Sequence, residues 1–239
     1  MRLNGDKMTE PTPANKSLSQ TLSRGLQIIE ILSESRAPLT AAELAARLGV
    51  NRAIAYRLLR TLSKHGLLDE GERDGRYRLG TKLLTLARNV DSDVREAAAP
   101  ILDELSSLVG ATVFVSVADG NEFVALVSAE AVDSLVSLRY RAGIRRPLGK
   151  GATSVAIAAS LPPRESDSAE VIATRERGYV HSAAGLDTNA YTVAAPLSLR
   201  AHPQGAALTA IFPTVSIDAP DLVGAAIANG ARRIAAATP

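Results

Sequence analysis

Between Asn51 and Gly66, apolar and charged positions separate cleanly. Ile54, Leu58 and Leu62 recur every four residues, while Arg52, Tyr56, Arg60 and Lys64 keep the same spacing two positions out of phase. On a helix the two sets lie roughly 200° apart, so one face suits a core and the other is cationic. Thr40 and Glu43 have the spacing of a capping box, and a short helix with Leu44 and Leu48 on one side follows, stopped at Gly49. Asn51 is placed to cap the second helix, and Gly66 to end it. Upstream, Leu22, Leu26, Ile29 and Leu32 predict an amphipathic first helix. Downstream, Leu67-Leu68 and Tyr77-Arg78-Leu79 predict two strands around Asp74-Gly75, a favoured hairpin turn.

The second half has a different pattern. A helix is expected from Gly80 to about Asn89, then another from Val94 to Leu108, with Pro100 either starting a second segment or kinking the first. Ala111–Ala118 and Glu122–Ser128 predict strands about Asp119-Gly120, and Leu135–Arg139 predicts a further one. Ala152–Ser160 and Ala169–Arg177 are expected to be helical. Tyr191–Leu199 and Ala206–Phe212 predict another hairpin, and Asp218–Ala237 a closing helix. Strand pairs interspersed with helices make an α+β domain with an antiparallel sheet. The expected plan is a flexible arm (1–16), a winged helix-turn-helix domain (17–80), a linker helix (81–92) and a sheet domain (93–239). The arm follows from a polar stretch with two prolines and no periodicity.

Charge changes this picture. Residues 1–90 hold 15 Lys and Arg against 9 Asp and Glu, and the remainder 12 against 16, giving the overall +2. A basic first domain on an acidic remainder points to a polyanionic partner for one part only. The chain has no Cys, and His65, His181 and His202 lie far apart, so no metal site and no cofactor are expected. No apolar run reaches the length of a membrane span, and a cytoplasmic protein is expected.

Two short helices joined through a glycine, the second with a cationic outer face, form the arrangement that enters a DNA major groove. Asn51, Arg52, Tyr56 and Arg57 at the start of that helix are the candidates nearest the bases, where an Arg can pair both acceptors of a guanine. Arg60 and Lys64 are placed for phosphates or solvent, and Arg73, Arg76 and Arg78 on the wing for phosphates or the minor groove. His65 is expected as a surface group at the helix end. In the second domain Lys150-Gly-Ala-Thr-Ser154 precedes a helix, where free amides beside Thr153 and Ser154 would suit a carboxylate. Alternatively, these hydroxyls merely cap the helix. The run from Gly143 to Gly151 departs from a P-loop, with five residues between the glycines and Gly151 where Ser or Thr is needed. No Gly-x-Ser-x-Gly elbow is present, and no catalysis is expected. The competing reading is a small-molecule enzyme or sensor with a vestigial DNA-binding domain.

The chain resembles the IclR family of bacterial transcriptional regulators. The resemblance is carried by SLSQTLSRGLQIIEILS, LTAAELAARLGV, YRLLRTLSKHGLL and RYRLG, and more loosely by AGIRRPLGKGATSVAIAAS, TRERGYVHSAAG and VAAPLSL. It implies a GAF-like effector-binding domain, a homodimer or dimer of dimers, and double-stranded operator DNA beside a catabolic or central-metabolic gene. It also implies a small-molecule effector, expected as a carboxylate, in a pocket of Leu138, Leu148, Ala152, Thr153, Ser182, Thr192 and Thr209. This chain departs from the family at Arg52-Ala53-Ile54, where Lys-Ser-Thr is usual, and at Ser154-Val155-Ala156, where Gly-Lys-Ala is usual. Ser182 stands in place of a frequent acid, and the segment between Leu161 and Val171 is shortened.

Overall fold

The computed structural model describes residues 18–71, 74–131, 140–183, 190–214 and 216–238. The expected arm and the expected strand Leu135–Arg139 lie outside them. The chain divides into two compact units, Met1–Val90 and Asp91–Pro239, each with its own core.

In the first unit, α1 (Gln20–Glu34) is followed by the short strand β1 (Leu39–Thr40), then α2 (Ala41–Leu48) and α3 (Arg52–Lys64). The capping box closes as the spacing predicted, with the Thr40 hydroxyl accepting from the Glu43 amide and the Glu43 carboxylate accepting from the Thr40 amide. Gly49 ends α2 at φ +66°, in the left-handed region. Asn51 Oδ1 accepts from the Ile54 amide at 2.9 Å and so starts α3. Strands β2 (Leu68–Glu70) and β3 (Arg76–Leu79) form the hairpin, and β1 adds to it in the order β1-β3-β2, all antiparallel. Ile28, Leu44, Leu59 and Leu68 are fully buried, with Tyr77 of the wing packed on them. Each such side chain contributes about 1.5–3 kcal/mol on leaving water.

The face of α1 differs from the expectation. Gly25, Ile28 and Leu32 are its buried residues, whereas Leu22 and Leu26 are 63% and 51% exposed. Gly25 lies against Leu62 of α3. A glycine adds nothing to a hydrophobic pattern, so a core face that includes one is displaced from the stripe of leucines. Beyond the wing, α4 (Lys82–Ala87) buries none of its own residues.

Gly80 joins β3 to that helix. Its amide donates to the Leu67 carbonyl at 2.8 Å, and a Cβ there would overlap the Gly66 carbonyl oxygen. Gly80→Ala is therefore expected to lower the stability of this unit by about 1–3 kcal/mol, as overpacking does. Urea unfolding checks this, and an unchanged midpoint would show that the backbone yields.

The second unit opens with α5 (Ser92–Val109), one continuous helix through Pro100 in place of two segments. Then come β4 (Thr112–Asp119), β5 (Glu122–Ala129), β6 (Arg145–Pro147), α6 (Ala152–Ala159), α7 (Ala169–Arg177), β7 (Val180–Ser182), β8 (Tyr191–Leu197), β9 (Ala206–Phe212) and α8 (Pro220–Ala237). The sheet runs β6-β5-β4-β9-β8-β7 with antiparallel neighbours. Alternation along the strands assigns its two faces. Val115, Val193, Leu197 and Leu208 pack with Leu102 and Leu105 of α5 and Ile227 and Ile234 of α8. Phe114, Ala194, Ala207 and Ile211 pack with Ala152, Ala156 and Ile157 of α6. With both faces covered, β9 is buried along its whole length, which explains why all its residues but Thr209 are apolar.

Candidate nucleic-acid interface and effector pocket

Helix α3 holds its charges outward because its reverse side is sealed. Ala55, Leu58 and Leu59 are buried, while Asn51, Arg52, Tyr56, Arg57, Arg60 and Lys64 are exposed. Tyr56 is 55% exposed, an aromatic face among four cations. This row suits phosphate contacts that set register and base-edge contacts that read sequence. The replaced hydroxyls leave Ala53 exposed beside Arg52. Arg57 also borders an apolar groove between α1 and α3, lined by Leu22, Gly25, Leu26 and Leu62.

The wing residues divide. Arg76 donates from Nη1 to the Pro38 carbonyl at 3.0 Å and lies 3.6 Å from Glu43 Oε2. Arg78, with its side chain 68% exposed, lies 3.8 Å from Asp69. Arg73 is outside the described residues. Hydrogen bonds from the Thr40 amide and then the Thr40 hydroxyl hold the Glu43 carboxyl below the usual range, and Arg76 adds to this. Burial, with a hydrogen bond to Glu70, pushes the Tyr77 phenol up to about 12, so it remains a neutral core group.

In the second unit, α6 begins at Gly151 (φ +81°), and neither Thr153 nor Ser154 caps it. Ser154 Oγ instead accepts from the Gly149 amide at 3.2 Å. Thr153 Oγ1 lies 3.2 Å from Thr209 Oγ1 on β9, and both residues are buried. Thr192 is Cα partner to Ser182 on β7 and to Ile211 on β9, so these positions share the face that meets α6. Ala152 is buried there, and Leu148 packs at its margin. Leu138 lies outside the described residues. Hydroxyls on a mainly apolar face are costly without partners, and here they converge on the helix that the family likeness pointed to.

Sequence reasoning missed the aromatic stack beside them. Phe114, which is Cα partner to Thr209, stacks on Tyr140 with centroids 4.5 Å apart, and Arg146 lies 5.5 Å over the Tyr140 ring. Arg145 is held by Asp119 (2.6 Å) and Glu122 (2.7 Å). A cleft of about 730 Å³ opens beside α6, with Ser154 in its lining. It is lined by Leu148, Gly149, Val155, Arg164, Glu170 and Gln204, among others, and of the expected pocket residues it takes in Leu148 alone. His202 Nε2 and Asp91 Oδ1 are 2.8 Å apart, tying the start of α5 to the β8–β9 turn. Asp91 is the one non-glycine residue with positive φ among the described residues.

These units define a winged helix-turn-helix domain followed by a curled antiparallel sheet domain with helices on both faces. Residues 21–71 match the IclR helix-turn-helix domain. The chain is 28% identical over 203 residues to the HTH-type transcriptional regulator XynR of Escherichia coli (strain K12), covering 74% of this chain and 80% of that one. Two further regulators, 32% and 30% identical, are matched over only 55% and 47% of their length. Among solved structures, the IclR transcriptional regulator from Alicyclobacillus acidocaldarius superposes with a TM-score of 0.75 at 22% identity, covering 93% of this chain and 100% of that one. An IclR homologue from Microbacterium hydrocarbonoxydans, crystallised with 4-hydroxybenzoate, gives 0.73 at 22% identity, covering 91% and 98%. The chain thus carries an IclR helix-turn-helix domain and shares the fold of solved IclR transcriptional regulators. No helix among the described residues is long and apolar enough to cross a membrane.

Proposed function

We propose that this regulator acts by binding and not by catalysis, as a homodimer that reads a two-fold operator and answers to a small organic acid from the metabolic pathway it controls. The outward row of Arg52, Tyr56, Arg57, Arg60 and Lys64, backed by Ala55 and Leu59, carries the DNA half of this reading. Two such helices on a two-fold axis would enter successive major grooves one helical turn apart. The effector half is supported by the Thr153 and Thr209 hydroxyls, which meet at the start of α6, and by Thr192 and Ser182 on the same sheet face. It is also supported by the 4-hydroxybenzoate complex of a protein with the same fold. The acid shifts operator binding only by the difference in its affinity for two arrangements of the dimer. The segment 81–92 would carry that difference to the recognition helices.

A salt titration tests the first half. Affinity for duplex DNA is expected to fall steeply, the log–log slope being about −0.9 for each phosphate neutralised. Binding that does not respond to salt would remove the basis of the assignment. For the second half, a thermal-shift screen of small carboxylates should give hits that Thr153→Val loses. The same variant leaves the Thr209 hydroxyl buried without its partner and is expected to cost about 1–3 kcal/mol. Hits retained at full strength would move the site elsewhere.

A further inference from the structure

The wing offers cations to DNA, but one of them is engaged within the protein. The Arg76 guanidinium reaches the Pro38 carbonyl (3.0 Å) and faces Glu43 Oε2 (3.6 Å). The same carboxylate oxygen accepts from the Thr40 amide (2.7 Å) and the Thr40 hydroxyl (2.8 Å). Backbone pairing at this point is minimal: β1 has two residues, in register as Leu39 with Tyr77 and Thr40 with Arg76. A ladder that short holds a hairpin poorly, and Arg76 Nη1, which meets both the Pro38 carbonyl and Glu43 Oε2, adds a side-chain tie at the same point. Arg78 is the contrast, more exposed and only 3.8 Å from Asp69.

We propose that Arg76 is a positioning residue for operator binding: held between Pro38 and Glu43, it fixes the wing against the start of α2 and acts on DNA through that placement. The proposal rests on the DNA-binding reading above, and its test separates the two. An operator duplex is selected from a random-sequence pool with the full-length protein, and affinity is then measured against salt. Arg76→Gln and Glu43→Gln are each expected to weaken binding by roughly three- to tenfold, the double variant falling no further than the weaker single one. The salt slope of Arg76→Gln should equal that of the unaltered protein. Arg76→Lys keeps the charge on a shorter stem and should leave the salt slope unchanged as well. Gln at position 43 still completes the capping box, so Glu43→Gln carries the comparison if Arg76→Gln fails to fold.

A slope shallower by about 0.9 in Arg76→Gln, restored by Lys, would make Arg76 a phosphate contact and overturn the proposal. Additive losses, or no loss, would overturn it too. If the unaltered protein shows no salt-dependent binding, the DNA reading fails by itself. The anchor is then judged by amide exchange, which should quicken in Leu39–Thr40 and Arg76–Leu79 in Arg76→Gln but not in Arg78→Gln. Unchanged exchange there would sink the anchor whatever the DNA result.

Discussion

Arg52→Ala combined with Arg57→Ala is expected to weaken operator binding by roughly 30-fold to 10⁴-fold, with the fold of the domain retained. The range follows from about 1–3 kcal/mol for each arginine that pairs with a base edge. Both side chains are exposed, so their loss removes little packing. Removing base contacts should also relax sequence preference while leaving the salt slope nearly intact. Arg60→Ala with Lys64→Ala should do the reverse, making the slope shallower by about 0.9 for each phosphate no longer neutralised and weakening all sequences alike. A competition assay between selected and random duplexes, repeated across salt, separates the two patterns. Unchanged operator affinity in the first double variant would show that another face of the domain meets DNA.

How much of this was legible in the sequence depended on whether the governing contact was local. Caps and turns are local, and Thr40, Glu43, Gly49 and Asn51 stand where spacing alone predicted. The strands of both long hairpins could be read because mostly apolar runs of seven or eight residues about glycine-containing turns leave few alternatives. The two- and three-residue strands β1, β6 and β7 were not legible, since pairing partners far along the chain define them and no pattern fits in so few residues. The α1 face was misjudged for the related reason that Gly25 marks it by closeness to Leu62 and not by hydrophobicity. At the effector pocket, the meeting of Thr153 with Thr209 spans 56 positions. The family likeness pointed to that pair, while spacing did not. The stack of Phe114 and Tyr140 had no signal at all. Arg76 was read from its place on the wing as a DNA contact, and its partners Pro38 and Glu43 become visible only once β1 lies beside β3.

The corrected face of α1 and the sealed face of α3 can be tested together through Leu59. It is fully buried among Ile28, Leu44 and Tyr77, so Leu59→Ala leaves a cavity in a small core and is expected to cost about 2–5 kcal/mol. Small domains hold about 5–15 kcal/mol in all, and this loss takes a large part of it. Calorimetry of the full chain should show the transition of the first unit falling sharply, while that of the sheet domain, whose core shares no residue with this one, stays in place. Leu22→Ala, at a position 63% exposed, is expected to change stability by no more than about 0.5 kcal/mol. Had the leucine stripe of α1 been its core face, Leu22→Ala would also be costly. DNA binding by Leu59→Ala should fail with the first transition as temperature rises, because α3 presents its cations only while its apolar side is packed. Binding that outlasts that transition would mean the cationic helix holds its shape without the core behind it.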